Sequence, residues 1–399
     1  MRRAAIVAPV RTPSGVEGGA LSGMSPHWLA ATVLDAVIAR SGIDPWRIED
    51  VAMACADGGL TAAPDLSRLA ARGAGLPFAV PGFLTDRSGG SGLQAVITAA
   101  MMVQTGAVDV VVAGGVEAAA EPLRPRPGDV ANAEELARYY GIRRAEADEF
   151  AVASHRKAAR AWRQGTFGAE VIPVGVLADE MPDEDTGGHR ILRDEGVRDD
   201  VTARTLATLR PLISDGVVTA GNMSAHRHGA SACLVVAEDR LDEFGLTPLA
   251  YLVGWAAAGC DAGAVTLGAA PAVSKLLGRT GFGLDDIDLL EVDEGFAVEV
   301  LALAREWDLD PGERLNVNGS SIALGHPVGA TGLRIMTTML HELGRSGGRF
   351  GLEAIALGRD HGIAALFESA GLEPEVEVPR GARFHGARKS RRAGRHRAA

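Results

Sequence analysis

Short apolar strands alternate with amphipathic helical segments along most of the chain, and this alternation limits the folds open to it. Residues 4–10 and 108–113 are mostly apolar runs typical of buried strands, and residues 26–40 carry apolar side chains at helical spacing. The same order returns later, with a strand at 288–292 and a helix at 298–307. Such alternation is typical of α/β proteins, so we expect mainly parallel sheets layered with helices.

The remaining segments fit the same plan. The apolar pattern also predicts strands at 51–55, 230–237 and 363–368, and helices at 92–105, 146–164 and 271–278. Gly114 and Gly115 follow a β-branched run, which favours a tight turn at the end of that strand. Residues 118–219 are richer in Arg, Asp, Glu and Pro, which indicates an inserted, more solvated subdomain.

Composition excludes several classes of protein. The 399 residues are 47% hydrophobic and 23% charged, as in globular proteins with a large core. Cys55, Cys233 and Cys260 are widely spaced and form no CxxC pair, so neither a disulfide framework nor a zinc site is indicated. The apolar stretches fall short of the roughly 18 residues that a membrane helix needs. We therefore expect a soluble, cytoplasmic protein.

The C-terminal end differs in composition from the rest of the chain. Residues 380–399 contain eight Lys or Arg and no acidic residue, although the whole chain has a net charge of −11. Because it has no apolar periodicity, the segment 371–399 is expected to be a disordered basic tail. Nucleic-acid binding through this tail is not favoured, since the rest of the chain is acidic and aromatic residues are only 5%.

Three Gly-rich loops contain the residues that could carry chemistry. The first, residues 86–92, leads into a helix, where backbone N–H groups and the helix dipole suit an anionic ligand atom. The second, residues 316–332, holds His326 between a glycine and a proline, which suits a positioned acid or base. The third, residues 358–362, holds an Asp-His pair just before a buried strand. Three such loops favour a functional site over separate structural turns.

Together these loops resemble the thiolase superfamily, in particular its acetyl-CoA acetyltransferase and 3-ketoacyl-CoA thiolase branch. The shared segments come in the family's order: Arg11-Thr12-Pro13, Val80-Pro81-Gly82, residues 90–96, 112–117 and 219–222, and Gly325-His326-Pro327. The resemblance implies a thiolase fold, with two βαβαβαββ halves in a five-layer α-β-α-β-α arrangement and an inserted loop domain. It also implies a homodimer.

The resemblance also suggests a division of the chain into parts. Residues 1–117 and 220–250 are expected to form the N-terminal half, and residues 251–370 the C-terminal half. Between the two parts of the N-terminal half, residues 118–219 are expected to form the inserted loop subdomain, which is shorter than in the family.

The chain departs from the family at both catalytic cysteines. By the resemblance, the family's nucleophilic Cys corresponds to Gly89, and its second Cys, which deprotonates the incoming acetyl-CoA, corresponds to Ala356. Neither residue can act as a nucleophile or a base, so a normal thiolase cycle is not expected. Asp293 stands where the family has an Asn that positions an oxyanion-hole water. A negative charge there would oppose an enolate unless the carboxyl is protonated.

The surviving and altered residues lead to a prediction of the site. By the resemblance, His326 holds the thioester oxygen, and His361 is the expected proton carrier. The predicted acid/base set is His326, His361, Asp293 and Asp360. The residues expected to contact the bound thioester are Ser224, Gly89 and Gly358. His189 and His226 are expected on loop surfaces away from the site.

The predicted function is Cys-independent acid/base chemistry on an acyl thioester carried by coenzyme A or by a phosphopantetheine carrier. Aldol or retro-aldol chemistry and decarboxylation would need only enolate stabilisation and proton transfer, and thioester hydrolysis would need stabilisation of a tetrahedral oxyanion and proton transfer. No permanently bound cofactor and no metal are expected. The alternative is a non-catalytic subunit that binds a thioester or supports a partner, either an OB-fold protein or a second thiolase-like chain.

Overall fold

Strands of the chain form one large mixed sheet and one small sheet. The structure is a computed structural model that describes residues 2–56, 65–118, 127–175, 190–260, 267–358 and 360–371. The large sheet contains β1 (Ala4–Arg11), β2 (Asp50–Cys55), β3 (Phe83–Thr85), β4 (Val110–Glu117), β7 (Gly229–Ala237), β8 (Ala250–Gly259), β9 (Leu289–Val292), β10 (Phe350–Leu357) and β11 (His361–Ser369). The small sheet pairs β5 (Val174–Gly175) with β6 (Arg190–Ile191).

Helices follow or precede most strands. Those of the described residues are α1 (Pro26–Ser41), α2 (Leu66–Gly73), α3 (Ser91–Gln104), α4 (Pro127–Tyr140), α5 (Arg144–Gln164), α6 (Ala203–Leu206), α7 (Leu241–Phe244), α8 (Ala269–Thr280), α9 (Ala297–Glu306), α10 (Ser321–Leu324) and α11 (Thr331–Ser346). Two short 3-10 turns matter for the site: Ser88–Gly90 leads into α3, and Val328–Ala330 leads into α11.

The large sheet has two halves that meet along a short edge. The strand order is β3-β2-β4-β7-β1 in the first half and β8-β11-β10-β9 in the second. β1 and β8 join the halves through the pairs Ala5–Tyr251 and Ile6–Ala250. Helices α1 and α2 cover the outer face of the first half, and α8 and α9 cover that of the second. Because α3 and α11 pack between the halves, the chain has the expected five layers, α-β-α-β-α.

The segment between β4 and β7 packs onto the second half. Its helices α4 and α5 contact α9 through a cluster that includes Leu136, Ala151 and Val298. Helix α5 begins two residues before the predicted helix at 146–164 and ends at the predicted residue. This segment therefore borders the loop after β9, from which one part of the site is built.

The expectation of mainly parallel sheets is wrong. In the large sheet, the β2–β3, β2–β4 and β9–β10 ladders are parallel, whereas β1–β7, β1–β8, β4–β7, β8–β11 and β10–β11 are antiparallel. Parallel neighbours need a long crossover, usually a helix, between them. β10 and β11 are separated by three residues, so they can only form an antiparallel hairpin.

The predicted turn at Gly114 and Gly115 is also wrong, because both glycines lie inside β4. Gly114 pairs with Met53 and Gly115 with Ser231, in unbroken ladders. A Cβ atom on Gly115 would lie 2.4 Å from the carbonyl oxygen of Gly329. The glycine therefore lets the turn that follows His326 approach the strand closely, and no reversal of the chain occurs.

The expectations on membrane helices, the C-terminal tail and His189 can be compared only with the residues that the structure describes. Of the helices in the described ranges, none is long and apolar enough to cross a membrane. From residue 372 onward, the predicted basic tail lies outside the described residues. His189 also lies outside them.

Gly115→Ala should lower the free energy of unfolding by about 1–3 kcal/mol, because its methyl group would meet a main-chain carbonyl that cannot easily move aside. Gly114→Ala is the matched control. Its methyl group would meet Sδ of Met53, at the flexible end of a side chain, so the loss should be smaller. Urea-induced unfolding of both variants measures the difference, and equal losses would contradict this explanation.

Candidate functional site

The side chains of Asp293 and His326 form the centre of the candidate site. Asp293 follows the last residue of β9, and His326 lies in the loop between α10 and the 328–330 turn. Nδ1 of His326 is 3.4 Å from Oδ1 of Asp293 and 3.2 Å from Oγ1 of Thr331. The acid and the imidazole, predicted as members of one acid/base set, are thus in contact.

Asp293 is held as an anion although it is only 7% exposed. Burial raises the pKa of its carboxyl, but four lowering effects outweigh it: the charge of His326, hydrogen bonds from His326 and Ser321, and the charge of Arg334. The net result is a pKa below the usual value for aspartate. The expected conflict between Asp293 and an enolate is therefore not relieved by protonating the carboxyl; the guanidinium of Arg334 offsets part of its charge.

Gly89 faces the ring of His326. It lies in the 3-10 turn before α3, and a Cβ atom built on it would be 3.4 Å from Cε1 and 3.6 Å from Nε2 of His326. The preceding Ser88 has a φ of 49°, in the left-handed region that is uncommon for residues other than glycine. A side chain at position 89 would thus contact the imidazole, and glycine leaves that volume to a ligand atom.

The neighbouring carboxylate of Glu294 holds the loop of Asp293 in place. It accepts hydrogen bonds from Oγ of Ser154 at 2.7 Å, Nδ2 of Asn316 at 2.9 Å and the backbone N–H of Ile322 at 3.1 Å. These donors come from α5, from the loop before α10 and from α10 itself. The contact therefore positions the two segments that carry Asp293 and His326 relative to each other.

The loop at residues 224–228 closes another side of the site. The backbone N–H of Ser224 donates to the carbonyl oxygen of Gly295 at 2.9 Å, and its hydroxyl contacts the same oxygen at 3.4 Å. His226 forms a parallel bridge with His326, and the two rings are 5.6 Å apart. The expectation that His226 lies on a surface away from the site is therefore wrong. It is half-buried beside His326, a contact made between segments about 100 residues apart.

Asp360 and His361 form a separate pair on the β10–β11 hairpin. Nδ1 of His361 is 2.7 Å from Oδ1 of Asp360, and both side chains are largely exposed, at 40% and 58%. Within the described ranges, no hydrogen bond or ion pair joins this pair to Asp293 or His326. The structure thus brings the four predicted acid/base residues together as two pairs, and their action as one set stays a prediction.

The same hairpin carries Gly358 and Ala356. Gly358 has a φ of 64°, and a Cβ atom on it would be 3.9 Å from Oδ1 of Asp129 on α4. Ala356 pairs with Gly362 near the end of β10. Its Cβ would lie 3.6 Å from a Cβ atom built on Gly268. A backbone turn in the left-handed region explains the glycine at 358, whatever its part in thioester binding.

Glu299 is a candidate residue that the sequence did not reveal. A Cβ atom built on Gly295 would lie 3.1 Å from Oε2 of Glu299 and 4.0 Å from Oδ2 of Asp293. Burial, followed by the charges of Asp293 and Asp129, raises the pKa of Glu299 to about 8. It is thus mainly a neutral acid at pH 7. A Glu in an amphipathic helix usually faces solvent, so only the fold shows this side chain next to Asp293.

The three cysteines lie outside the position facing His326. Cys233 is in the core part of β7, and burial raises the pKa of its thiol well above the usual value. Cys55 ends β2 and is buried. Cys260 follows β8, and its backbone N–H donates to the carbonyl oxygen of Asp360. Of the three, Cys260 is therefore the cysteine next to the β10–β11 hairpin, and whether its thiol takes part in a reaction needs a direct test.

Comparison with known proteins identifies the class to which this fold and site belong. Residues 4–124 and 130–239 match the N-terminal domain of thiolase, and residues 246–369 match the thiolase C-terminal domain. The chain belongs to the thiolase family.

Particular relatives resemble it over nearly their whole length. A probable acetyl-CoA acyltransferase of Staphylococcus aureus (strain COL) is 37% identical over 397 residues, covering 92% of this chain and 99% of the relative. The structure is similar to that of Bacillus anthracis acetyl-CoA acetyltransferase, with a TM-score of 0.85, 36% identity, and coverage of 92% and 99%. Human mitochondrial 3-ketoacyl-CoA thiolase in complex with CoA gives a TM-score of 0.84, 31% identity, and coverage of 92% and 98%.

Glu299→Gln should change how stability depends on pH. In the folded chain the carboxyl keeps its proton up to about pH 8, whereas the unfolded chain releases it near pH 4.5. Stability of the natural chain therefore falls as the pH rises between these two values, and the Gln variant lacks this fall. Relative to the natural chain, we expect the free energy of unfolding of the variant to be higher at pH 8 than at pH 5 by about 1–3 kcal/mol.

Denaturant unfolding at a series of pH values measures this effect. Glu306→Gln, on the exposed end of the same helix, is the matched control and should follow the natural chain. A Glu299→Gln curve parallel to that of the natural chain would show that Glu299 is ionised at neutral pH.

Proposed function

We propose that this protein is an enzyme acting on an acyl thioester, carried by coenzyme A or a phosphopantetheine carrier, by acid/base chemistry that needs no cysteine nucleophile. One observation carries the proposal. Asp293 contacts one ring nitrogen of His326, while the other, Nε2, faces the space left by the missing side chain of Gly89. The relatives named above act on CoA thioesters by their names, and one of them is bound to CoA. This supports the same substrate class for this chain.

Asp293 determines which proton His326 can move. An ionised carboxylate beside Nδ1 favours the tautomer that carries its proton there, which leaves a lone pair on Nε2. Nε2 can then remove a proton from the carbon next to the thioester carbonyl. The electron pair of the broken C–H bond moves to the carbonyl oxygen as an enolate. The imidazolium that forms is stabilised by Asp293, and its Nε2–H can donate to the enolate oxygen.

The lack of a thiol at position 89 determines how the enolate can react. With Gly89 at the helix N-terminus, no acyl-enzyme forms there, so the enolate carbon has to react with an electrophile held in the same space. Aldol-type C–C bond formation, its reverse, and decarboxylation all pass through this enolate. The N-terminal end of α3 adds the positive end of a helix dipole near the developing charge.

Other residues complete the proposal. Glu299 is a neutral acid next to Asp293, and His361 with Asp360 is the exposed pair that would exchange the proton with solvent. Ser224, Gly89 and Gly358 are proposed to contact the thioester. A homodimer is proposed as the working state, and loss of both family cysteines is proposed as the origin of the altered chemistry.

His326→Ala and Asp293→Asn should each lower kcat by about 10²–10⁴-fold, since one removes the base and the other the charge that stabilises its protonated form. Turnover of a panel of acyl-CoAs and acyl-pantetheines, followed by mass spectrometry of the small molecules, measures this. His361→Ala tests whether the hairpin pair belongs to the same set, in which case turnover is also lost.

Matched controls separate this proposal from its alternatives. His27→Ala, at an exposed position, should leave turnover unchanged, and so should Cys260→Ser. Loss of turnover in Cys260→Ser would mean that its thiol supplies a nucleophile. Saturable binding of thioesters by the natural chain without turnover, even with an added OB-fold or thiolase-like partner, would point to a non-catalytic subunit.

Gly89→Cys should restore a site for covalent acylation. The new Cβ would sit at ordinary contact distance from the His326 ring, so Nε2 can take the proton of the thiol. Intact-protein mass spectrometry after incubation with acetyl-CoA should show one acetyl group on Gly89→Cys and none on the natural chain or on Gly89→Ala. An unlabelled Gly89→Cys protein that is folded would show that position 89 is not the nucleophile position.

A further inference from the structure

A group of fully buried polar atoms lies behind the site without partners. Oε2 of Glu291, both carboxyl oxygens of Glu353, and Nε and Nη1 of Arg334 make no hydrogen bond within the described part of the chain. Each of these residues is at most 3% exposed. Buried polar atoms are nearly always hydrogen-bonded, so five such atoms in one place require an explanation.

The fold brings the two carboxyls side by side. Glu291 on β9 and Glu353 on β10 are paired in register on neighbouring parallel strands, so both side chains point to the same face of the sheet. Ile355 and Leu357, two and four residues further along β10, pack in the inner cluster between the sheet halves. Arg334 belongs to α11, which runs through that inner layer. The three side chains therefore meet in a space closed to bulk solvent.

Electrostatics disfavour two negative charges in this space. Burial raises the pKa of both carboxyls well above the usual value, and Arg334 offsets part of this effect for each. The other charged groups facing Glu353 are Glu291 and Asp293. Those facing Glu291 are Glu294, Lys157 and Glu170. Two adjacent buried carboxylates with a single nearby guanidinium are expected to hold one proton between them.

The same guanidinium reaches the candidate site. Nη2 of Arg334 donates to Oγ of Ser321 at 2.9 Å, and Oγ of Ser321 donates to Oδ1 of Asp293. A second contact, to Oγ of Ser320 at 3.3 Å, fixes the direction of this nitrogen. The orientation of Arg334 thus sets where the serine hydroxyl points.

We propose that Glu291 and Glu353 share a single proton and, with Arg334, enclose ordered water, forming a buried positioning unit that holds Ser321 on Asp293. The water satisfies the atoms that lack protein partners, as buried water usually does. The shared proton stands independently of the reaction, whereas the effect on Asp293 rests on the function proposed above.

Infrared spectroscopy of the protein in solution tests the shared proton. At neutral pH, and in a Glu299→Gln background that removes the other neutral acid of the site, the chain should show the C=O band of a protonated carboxyl. Glu353→Gln and Glu291→Gln should each abolish the band, because the single remaining carboxyl then ionises beside Arg334. Glu342→Gln is the control, since that buried carboxylate is paired with Arg345 and Asn318 and its loss should leave the band intact.

Two results would overturn the shared proton. A band that persists in both single Gln variants would mean that each carboxyl holds its own proton, and absence of the band from the chain that keeps both Glu291 and Glu353 would mean that both are ionised. Circular dichroism confirms that each variant is folded, and the two variants provide independent readings if one fails to fold.

Kinetics test the positioning role separately. Glu353→Gln should lower kcat about 10-fold with KM little changed, because it disturbs the hydroxyl of Ser321 on Asp293 and not the thioester contacts. Glu342→Gln should leave both constants unchanged. Unchanged kcat in Glu353→Gln would refute the link to Asp293 while leaving the shared proton standing, and absence of turnover in the natural chain would count against the proposed function alone.

Discussion

The buried carboxylate of Glu294 is the contact on which the geometry of the site depends. It binds a serine hydroxyl of α5, the side-chain amide of Asn316 and the backbone of α10, so three segments of the chain share one anchor. A carboxylate removed from water costs several kcal/mol unless donors surround it. Three donors offset part of this cost, although burial still raises the pKa of the Glu294 carboxyl. Because Asp293 is the adjacent residue and His326 follows α10, this anchor also sets the distance between them.

Carboxyl groups within a small region have different protonation states, and their surroundings explain why. Asp293 is ionised because His326, Ser321 and Arg334 stabilise its charge more than burial opposes it. At Glu299, burial and the charges of Asp293 and Asp129 outweigh a hydrogen bond from the backbone of Phe296, so the carboxyl stays mainly neutral to about pH 8. Neighbouring carboxyls whose surroundings push their pKa values apart are typical of sites for general acid/base chemistry.

Much of the fold could be predicted from the sequence, since long apolar runs and helical periodicity depend only on local pattern. The strand at 4–10 and the helix at 26–40 are found within one residue of their predicted ends. Strand direction could not be predicted in this way, because it depends on which connections are hairpins. The need for glycine at position 115 could not be predicted either, because it comes from a loop more than 200 residues away in the sequence. Asp293 and His326 were found through their loop motifs, whereas His226 and Glu299 carry no local signal.

The charges around Asp293 favour retained chemistry over a scaffold that has lost its activity. Burying an anion, a guanidinium and two further carboxyls in one region is less stable than filling it with apolar side chains of similar volume. A subunit that served only as a support would be more stable without them. At position 89, by contrast, the glycine leaves space facing Nε2 of His326. A carboxylate beside the imidazole of His326, together with room for a substrate atom, is the combination that the proposed enolate reaction needs.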